Sequence, residues 1–440
     1  MPDSKKPNER KSFFSGISRN VVALGITSFL TDFSTELYYP LLPIFLTTIL
    51  KAKYLFVGLM EGIAETTASL LKLFSGWLSD KLNRRKVLVV GGYGLSGLTR
   101  PVIAIATAGW HILGARFVDR IGKGLRTAPR DALIADSTAP ESRGKAFGFH
   151  RSMDHAGAVV GPIVAFIIMA SAVFGAGFFV DLFKNSQEAV SLIDGSNSDG
   201  GIVEANKIDE HTYRIVFWCS SIPAILSVLV LIFMVKDIRQ ADEKRAKLPI
   251  LTLKPFDRNF KVFLPIVILF TLGNSSDAFL ILRAKDLGVA EILVPILWAA
   301  LHVVKMLSAM PGSAWSDKVG RRKVIIVGWM VYSIIYFGFA FAKTEWQVWL
   351  LFMFYGIYFG LTEGTEKAFV ADLVPTELRG TAYGVYNFAI GIGAFPACLL
   401  MGKLWDSFGP TVAFSFGAII SLVAMILLFL AIPSRLQSKA

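Results

Sequence analysis

Acidic and basic side chains recur at helical spacing inside stretches of the sequence that are otherwise apolar. Asp32 and Glu36 are four residues apart in the first stretch, and Glu61 and Glu65 are four apart in the second. A spacing of four places two side chains on the same face of a helix. Charges are costly in hydrocarbon, so a charge within such a stretch is a candidate binding or proton-relay residue.

The fourth apolar stretch carries the most charge. Residues that are three or four apart lie along one side of a helix. Seven residues of this stretch form such a stripe: Arg116, Asp119, Arg120, Lys123, Arg126, Thr127 and Arg130. This stripe cannot face lipid, so we expect it to face a water-filled cavity or a neighbouring helix. Asp119 and Lys123 can instead neutralise each other along the helix. Arg126 and Arg130, whose nearest acid is Asp131, are expected to face a cavity.

The elements that carry these residues are long apolar segments. The chain has 440 residues, of which 54% are hydrophobic and 18% charged, whereas soluble domains contain about 25% charged residues. A membrane-spanning helix needs about 20 mostly apolar residues. Twelve candidates, named spans 1 to 12, lie near 19–49, 54–79, 87–108, 110–136, 146–176, 214–235, 260–284, 290–315, 324–342, 346–371, 380–404 and 411–432. We therefore predict an all-α integral membrane protein.

Two sequence motifs occur twice at nearly the same offset. Ser79–Val87 returns almost unchanged at Ser316–Val324, an offset of 237 residues. Asp136, Glu141 and Arg143 return at an offset of 236 as Asp372, Glu377 and Arg379. Repetition at half the chain length predicts two pseudo-symmetric bundles of six helices.

Basic residues are concentrated at one predicted side of the membrane, which the positive-inside rule makes cytoplasmic. An even number of spans places both termini there. We predict a cytoplasmic tail at 1–18, a first bundle at 19–235 with an extracytoplasmic loop at 179–213, a cytoplasmic linker at 236–259, a second bundle at 260–432 and a tail at 433–440. The net charge of +12 is therefore attributed to topology and anionic lipid rather than to nucleic acid.

The repeated basic segments resemble those of the major facilitator superfamily of secondary transporters. That family carries Gly-x-x-x-Asp-(Arg/Lys)-x-Gly-Arg-(Arg/Lys) between helices 2 and 3, and a weaker copy between helices 8 and 9. The first copy is matched by Gly76, Asp80, Lys81, Arg84, Arg85 and Lys86, and the second by Asp317, Lys318, Gly320, Arg321, Arg322 and Lys323. Asn83 and Ser313 stand where the family pattern has glycine.

The resemblance implies roles for the charges near the cytoplasmic side. In the family, such charge pairs latch the inner side shut while the cavity is open outward. The predicted gating residues are Asp80, Arg84, Arg85, Glu141, Arg143, Asp317, Arg321, Arg322, Glu377 and Arg379.

The family also lines its central cavity mainly with helices 1, 4, 7 and 10, and in this chain spans 1, 4, 7 and 10 are charged. Candidate proton-coupling residues are Asp32, Glu36, Glu61, Glu65, Asp154 and Asp277. Candidate substrate ligands are Arg116, Arg120, Lys123, Arg126, Arg130, Asp131, Asn274, Arg283, His302, Lys305, Glu363, Glu366 and Lys367. The repeat aligns Arg130 with Glu366, so these two could pair across the cavity, or each could be neutralised within its own half.

Span 5 resembles the family's antiporter motif in part. Gly148, Gly157 and Gly161-Pro162 have the required spacing, whereas Ala165-Phe166 replaces the final glycine pair. The alternative is an ordinary glycine-rich packing face.

These features favour a proton-coupled secondary transporter that moves a polar, anionic or zwitterionic small molecule by alternating access, with export by proton antiport preferred. The alternatives are uptake of an organic anion by proton symport and a non-transporting receptor or scaffold. The sequence lacks Gly-x-x-x-x-Gly-Lys-(Ser/Thr), a nucleophile elbow and His-Glu-x-x-His, so we expect neither ATP drive nor an enzyme. We expect a monomer in the inner or plasma membrane that needs no cofactor or metal beyond the proton gradient.

Overall fold

A computed structural model describes residues 18–82, 84–139, 142–175, 208–237, 253–375 and 378–432. The predicted tails, most of the 179–213 loop and most of the 236–259 linker therefore lie outside the described residues. The regular structure of the described part is helical, as the sequence predicts.

The first half of the chain forms spans 1 to 6. Span 1 consists of the helices Arg19–Tyr38 and Leu42–Thr48, joined by a short 3-10 turn at Tyr39–Leu41. Spans 2 to 6 are the helices Tyr54–Leu82, Arg85–Ala104, Gly109–Asp136, Arg143–Phe174 and Glu210–Met234.

The second half repeats this order. Span 7 consists of the helices Arg258–Gly273 and Ala278–Asp286, and spans 8 to 10 are Val294–Val319, Arg321–Phe341 and Glu345–Asp372. Spans 11 and 12 together form Arg379–Ala431, which is interrupted at Gly409 (φ 82°). Within the described residues, these elements are consistent with twelve spans, and seven helical stretches are long and apolar enough to cross a membrane on composition alone. Spans 1, 2, 4 and 10 do not meet that criterion because of their charges.

The predicted basic loops are mostly helical. The first copy continues as helix to Leu82 and resumes at Arg85, and the second is interrupted only at Gly320, whose φ of 104° favours glycine. Charged side chains beyond the hydrocarbon are solvated, and Lys and Arg are good helix formers, so these helices extend past the membrane boundary. We call the end of the molecule that carries both segments the basic face, and the opposite end the far face.

Spans 1 and 7 are interrupted at equivalent positions. Span 7 was predicted to be one continuous helix, but Asn274–Asp277 is not helical. Asn, Ser and Asp side chains compete for backbone hydrogen bonds, which explains the break in this run. At the repeat offset of 236 it aligns with Tyr38–Leu41, where Pro40 interrupts span 1.

The two halves pack through spans 2 and 11 and through spans 5 and 8. Glycines make the first of these contacts close. A Cβ added to Gly402 would lie 2.5 Å from the Tyr54 carbonyl oxygen, and one added to Gly62 would lie 3.1 Å from the Phe395 carbonyl oxygen. The backbones of spans 2 and 11 therefore touch with almost no side chain between them.

Candidate functional site

The main cavity lies between the halves and has a volume of about 880 Å³. It is lined by spans 1, 2, 4 and 5 of the first half and by spans 8 and 10 of the second. Its ionisable side chains are Asp32, Glu36, Glu65, Lys123, Arg130, Asp131, His150, Arg151, Asp154, His155, His302, Lys305, Glu363 and Lys367. Most of the predicted proton and substrate residues are thus brought together here.

Contacts between the halves close the far face. The Tyr54 and Leu55 amides donate to the two carboxylate oxygens of Asp406, at 3.1 and 2.8 Å. The Tyr54 ring stacks on Trp405 with centroids 4.7 Å apart. The Tyr213 hydroxyl donates to Glu291 of the other half at 2.5 Å. The main cavity therefore opens toward the basic face.

Carboxylates of spans 1 and 5 meet at the inner end of the main cavity. The Ser28 hydroxyl donates to Asp154, and His150 Nδ1 lies 3.7 Å from the Asp154 carboxylate. Gly157 lets the two spans approach, since a Cβ there would be 3.1 Å from Cβ of Asp32. Asp32 and Asp154 therefore lie on adjacent helices, and both line the main cavity.

Glu36 joins the two halves near the same place. Trp298 Nε1 of span 8 donates to Glu36 Oε2 at 2.8 Å, and His302 Nε2 lies 3.9 Å from that oxygen. Trp298 also packs on Tyr39, with ring centroids 5.6 Å apart. A change in the charge of Glu36 would therefore act directly on a contact between halves.

The charged stripe of span 4 divides between two environments. Lys123, Arg130 and Asp131 line the main cavity. The remaining charged members are at least nine-tenths buried within the first half, namely Arg116, Asp119, Arg120 and Arg126. Helical spacing fixes which residues share a side of the helix but not which neighbour they meet. These four residues therefore lie in the interior of the first half, although Arg126 was predicted to face a cavity.

Each buried cation of this group has a partner on a neighbouring span. Arg116 Nη2 donates to Glu61 Oε1 at 2.8 Å, with both side chains almost fully buried. Arg120 Nη2 lies 3.2 Å from Glu65 Oε1 at the cavity edge. Glu61 also accepts from Ser276 Oγ of the second half at 3.2 Å.

Arg126 packs against span 3 and, within the part of the chain that the structure describes, forms no ion pair. Its Nη1 donates to Ser96 Oγ at 2.5 Å, and its guanidinium lies 4.3 Å from the Tyr93 ring centroid.

Arg100 of span 3 was missed by the sequence reasoning. It is 1% exposed, and it donates to Ser34 Oγ at 3.2 Å, Tyr38 Oη at 2.9 Å and Asp119 Oδ1 at 3.2 Å. Spans 1, 3 and 4 are thus held together by one guanidinium. The available signal was a single arginine inside an otherwise apolar span, which requires a partner elsewhere.

In the second half, Asp277 lies at the break in span 7. The Tyr355 hydroxyl donates to Asp277 Oδ1 at 2.6 Å, and Lys305 Nζ lies 3.7 Å from Oδ2. The same ammonium lies 3.6 Å from the Phe359 ring centroid. Arg283 lies farther out and is buried, donating to the carbonyls of Phe339 and Ala342 at 3.0 and 2.9 Å, so it stabilises the end of span 9 outside the cavity.

A small cavity of about 300 Å³ lies beside the same break. Its walls include Asn274, Asp277, Glu366 and Glu65, the last of which also lines the main cavity. Glu366 accepts hydrogen bonds from Trp329 Nε1 at 2.8 Å and from the Tyr386 hydroxyl at 2.7 Å.

The suggested pairing of Arg130 with Glu366 is absent from this conformation. Arg130 Nη2 instead donates to the adjacent Asp131 at 2.9 Å, and Glu366 is satisfied within the second half. The ion pair that crosses the main cavity joins Arg151 to Glu363. Arg130 lines the main cavity and Glu366 lines the small one, so their side chains face different spaces.

The described gating residues pair within each half. Arg85 forms an ion pair with Asp136, and Arg321 lies 3.1 Å from Asp372 and 3.6 Å from Asp317. These pairs join span 3 to span 4, and span 9 to spans 10 and 8, as expected when the cavity is open to the basic face. Arg84, Arg143 and Arg379 are exposed, and Arg322 donates to the Phe429 carbonyl. Glu141, Glu377 and the Asp80 side chain lie outside the described residues.

The glycines of span 5 act in packing. A Cβ at Gly161 would lie 2.7 Å from the Phe33 carbonyl oxygen, and one at Gly157 would lie 2.9 Å from the Phe33 amide nitrogen. Gly148 has no such neighbour within 4 Å, and Pro162 lies inside the helix. Two glycines thus bring span 5 against span 1, beside the Asp32 carboxylate.

Among the described residues, no cluster of three or more His, Cys, Asp and Glu side chains is arranged to hold a metal ion. Cys219 and Cys398 are free thiols.

Comparison with known proteins gives one family. The family model described as Major Facilitator Superfamily matches residues 24–397 and, in a second match, 262–440. The MFS-type transporter MJ1317 of Methanocaldococcus jannaschii is 31% identical over 420 residues, covering 94% of each chain. The multidrug resistance protein MdtG of Enterobacter lignolyticus is 21% identical, covering 96% of this chain and 92% of its own.

Solved structures with a similar fold bind or transport different small molecules. The D-xylose-proton symporter has a TM-score of 0.69 at 14% identity, covering 94% of this chain and 98% of its own. A POT family transporter in complex with 5-aminolevulinic acid has a TM-score of 0.71 at 14% identity, covering 96% and 97%. These similarities establish the fold.

Proposed function

The chain belongs to the Major Facilitator Superfamily, and we propose that it is a proton-coupled transporter that exports a polar, anionic or zwitterionic small molecule by proton antiport. The observation that carries the proposal is the main cavity, whose walls contain five Lys and Arg and six Asp and Glu side chains. A cavity with both signs of charge favours a cargo with matching charges over a lipophilic one. Alternating access would expose this cavity to each side in turn.

Asp32 and Asp154 are our candidates for the coupled proton, with Glu36 as the link to the second half. Neighbouring carboxylates can share a proton because their charges repel. For antiport, the cargo and the proton must compete for the same carboxylates. The ammonium group of a zwitterionic cargo would compete with the proton in this way. The anionic group of the cargo would then lie near Lys123 or Lys305.

Proton symport is the second candidate function, and the same lysines and carboxylates would support it. A simple anion binds Lys123 and Lys305 better when the nearby carboxylates are protonated, so the anion and the proton would move together. Relatives named multidrug resistance proteins favour export, whereas a neighbour of similar fold is a symporter.

The test is proton flux in proteoliposomes that contain a pH-sensitive dye and a symmetric buffer. Amino acids and small organic acids are added outside one at a time. We expect entry of the cargo to make the lumen alkaline, because antiport moves protons out. Acidification would instead establish symport, and saturable binding without flux would identify a receptor.

Asp32→Asn and Glu36→Gln should each preserve cargo exchange while reducing the pH response about tenfold or more. Glu345→Gln, at the far-face start of span 10, is the control and should behave as wild type. Unchanged proton-driven flux in both cavity variants would contradict the assignment.

A further inference from the structure

The small cavity lies between the two equivalent interruptions of spans 1 and 7. Tyr39 of the first interruption and Asn274–Asp277 of the second both line it. Interrupted helices at corresponding positions of two repeats leave backbone polar groups available for a ligand. Ser275 is 7% exposed and lines this cavity, and its hydroxyl lies near that of Tyr336 without forming a hydrogen bond of full geometry to a described residue. A polar ligand would satisfy this group.

The charge of the small cavity is negative. The side chains that line it include three carboxylates and, within the described residues, no Lys, Arg or His. Glu65 is paired with Arg120, and Asp277 with Lys305. Glu366 makes no ion pair with a described residue; its donors, Trp329 and Tyr386, are neutral. A carboxylate buried without a cation is costly, so an incoming cation would remove that cost.

Aromatic rings form much of the remaining wall. Tyr39, Phe270, Trp329 and Tyr358 line the small cavity, and Phe270 stacks on Trp329 with centroids 4.1 Å apart. The face of an aromatic ring attracts cations, and this attraction is strongest for weakly hydrated organic ammonium groups. A volume of about 300 Å³ exceeds what a bare metal ion needs and accommodates a small alkylammonium.

We propose that the small cavity binds an organic ammonium group against Glu366 and the faces of Trp329 and Tyr358. Glu65 lines both cavities, so a molecule bound here lies beside the main cavity. This ammonium site is separate from the carboxylates Asp32 and Asp154 and does not rest on the proposed function.

The test uses the purified full-length protein in detergent micelles, with choline chloride as the probe. Its neutral isostere, 3,3-dimethylbutan-1-ol, has the same shape without the charge. Thermal unfolding is followed at constant ionic strength. We expect choline to raise the unfolding midpoint saturably, and the isostere to have no comparable effect.

The matched variants are Glu366→Gln and Glu363→Gln, which remove carboxylates one turn apart on span 10. Of these two cavities, Glu366 lines the small one and Glu363 the main one. We expect Glu366→Gln to weaken the apparent choline affinity about tenfold, and Glu363→Gln to leave it within about twofold. Should Glu366→Gln fail to fold, Tyr358→Leu replaces it, with an expected loss of about threefold.

Four results would overturn the proposal. An equal rise of the unfolding midpoint with the neutral isostere would show that the site binds apolar groups rather than ammonium. A larger saturable shift by sodium chloride would make it a metal-cation site. Absence of any saturable choline effect, or an equal loss in Glu363→Gln, would exclude an ammonium site at Glu366. Since this binding needs no gradient, failure of proton flux with choline binding intact would reject only the transport proposal.

Discussion

The two halves fill equivalent positions with different chemistry. In the first half, Arg100 and Asp119 form a buried ion pair at 3.2 Å. At the repeat offset of 236 these positions are Tyr336 and Tyr355, whose ring centroids lie 6.5 Å apart. The same backbone arrangement is thus stabilised once by charges and once by aromatic packing.

The difference continues along spans 4 and 10. Lys123 of the first half corresponds to Phe359 in the second, and a cation from span 8, Lys305, lies over that ring. Buried charges require partners with fixed geometry, whereas aromatic rings tolerate small shifts. The first half is therefore expected to be sensitive to the loss of a single charge, and the second half supplies walls that attract cations.

The strongest test of this contrast is Arg116→Met. It leaves Glu61, which is 1% exposed, without its partner, and breaking a buried pair costs about 3–5 kcal/mol. We expect a large fall in the thermal unfolding midpoint of the purified protein. Adding Glu61→Gln should recover much of the loss; if the double variant is no better than the single one, the pair does not act as a unit.

Substitutions at equivalent positions in the two halves should reduce the stability of the protein by different amounts. Tyr355→Phe removes one hydrogen bond to Asp277 but keeps the ring, a loss of about 1 kcal/mol. Asp119→Asn, at the equivalent position, weakens contacts to Arg100 and Arg116 and should cost at least twice as much. Denaturation of both variants under identical conditions measures the ratio, and equal losses would remove the proposed asymmetry.

The smallest effect on stability is expected for the pair that crosses the cavity. Arg151 and Glu363 are about half exposed, and such pairs contribute less than about 1 kcal/mol. Arg151→Gln should nevertheless favour the open state, because it removes a contact between halves.

Alkylation of Ala309→Cys, a residue of the cavity wall, reports the opening in a protein whose two native cysteines have been replaced. We expect the rate to rise about threefold with Arg151→Gln. Arg214→Gln, which breaks a pair within one half, is the control. An unchanged rate with Arg151→Gln would show that the ion pair does not restrain the cavity.

Much of the architecture could be predicted because it depends on local patterns. Apolar length gives the spans, and the 236-residue offset gives the two halves. It also identifies Asp136 and Asp372 as equivalent residues, although not that they pair with Arg85 and Arg321 within each half. The break in span 7 was missed, since the run Asn274–Asp277 is short within a segment that is long and apolar enough to span.

Partners from distant spans could not be predicted. Arg100 and Asp119 are on different helices, and neither has a sequence neighbour that indicates the other. The stripe on span 4 predicted that these side chains make charged contacts, which they do. Only packing against spans 2 and 3 decides that Arg116 is interior while Lys123 faces the cavity. Likewise, the contact between Trp298 and Glu36 depends on how the halves meet.

The close contact of spans 2 and 11 has a mechanical consequence. At Gly58 and Gly402 the nearest atoms of the other half are backbone carbonyl oxygens, those of Cys398 and Tyr54, so at these points no side chain separates the two halves. Two smooth surfaces in contact can rotate by a few degrees without a steric barrier, whereas interdigitated side chains would first have to separate. The glycines of this line therefore set how closely the two bundles approach and how much steric resistance opposes their tilting.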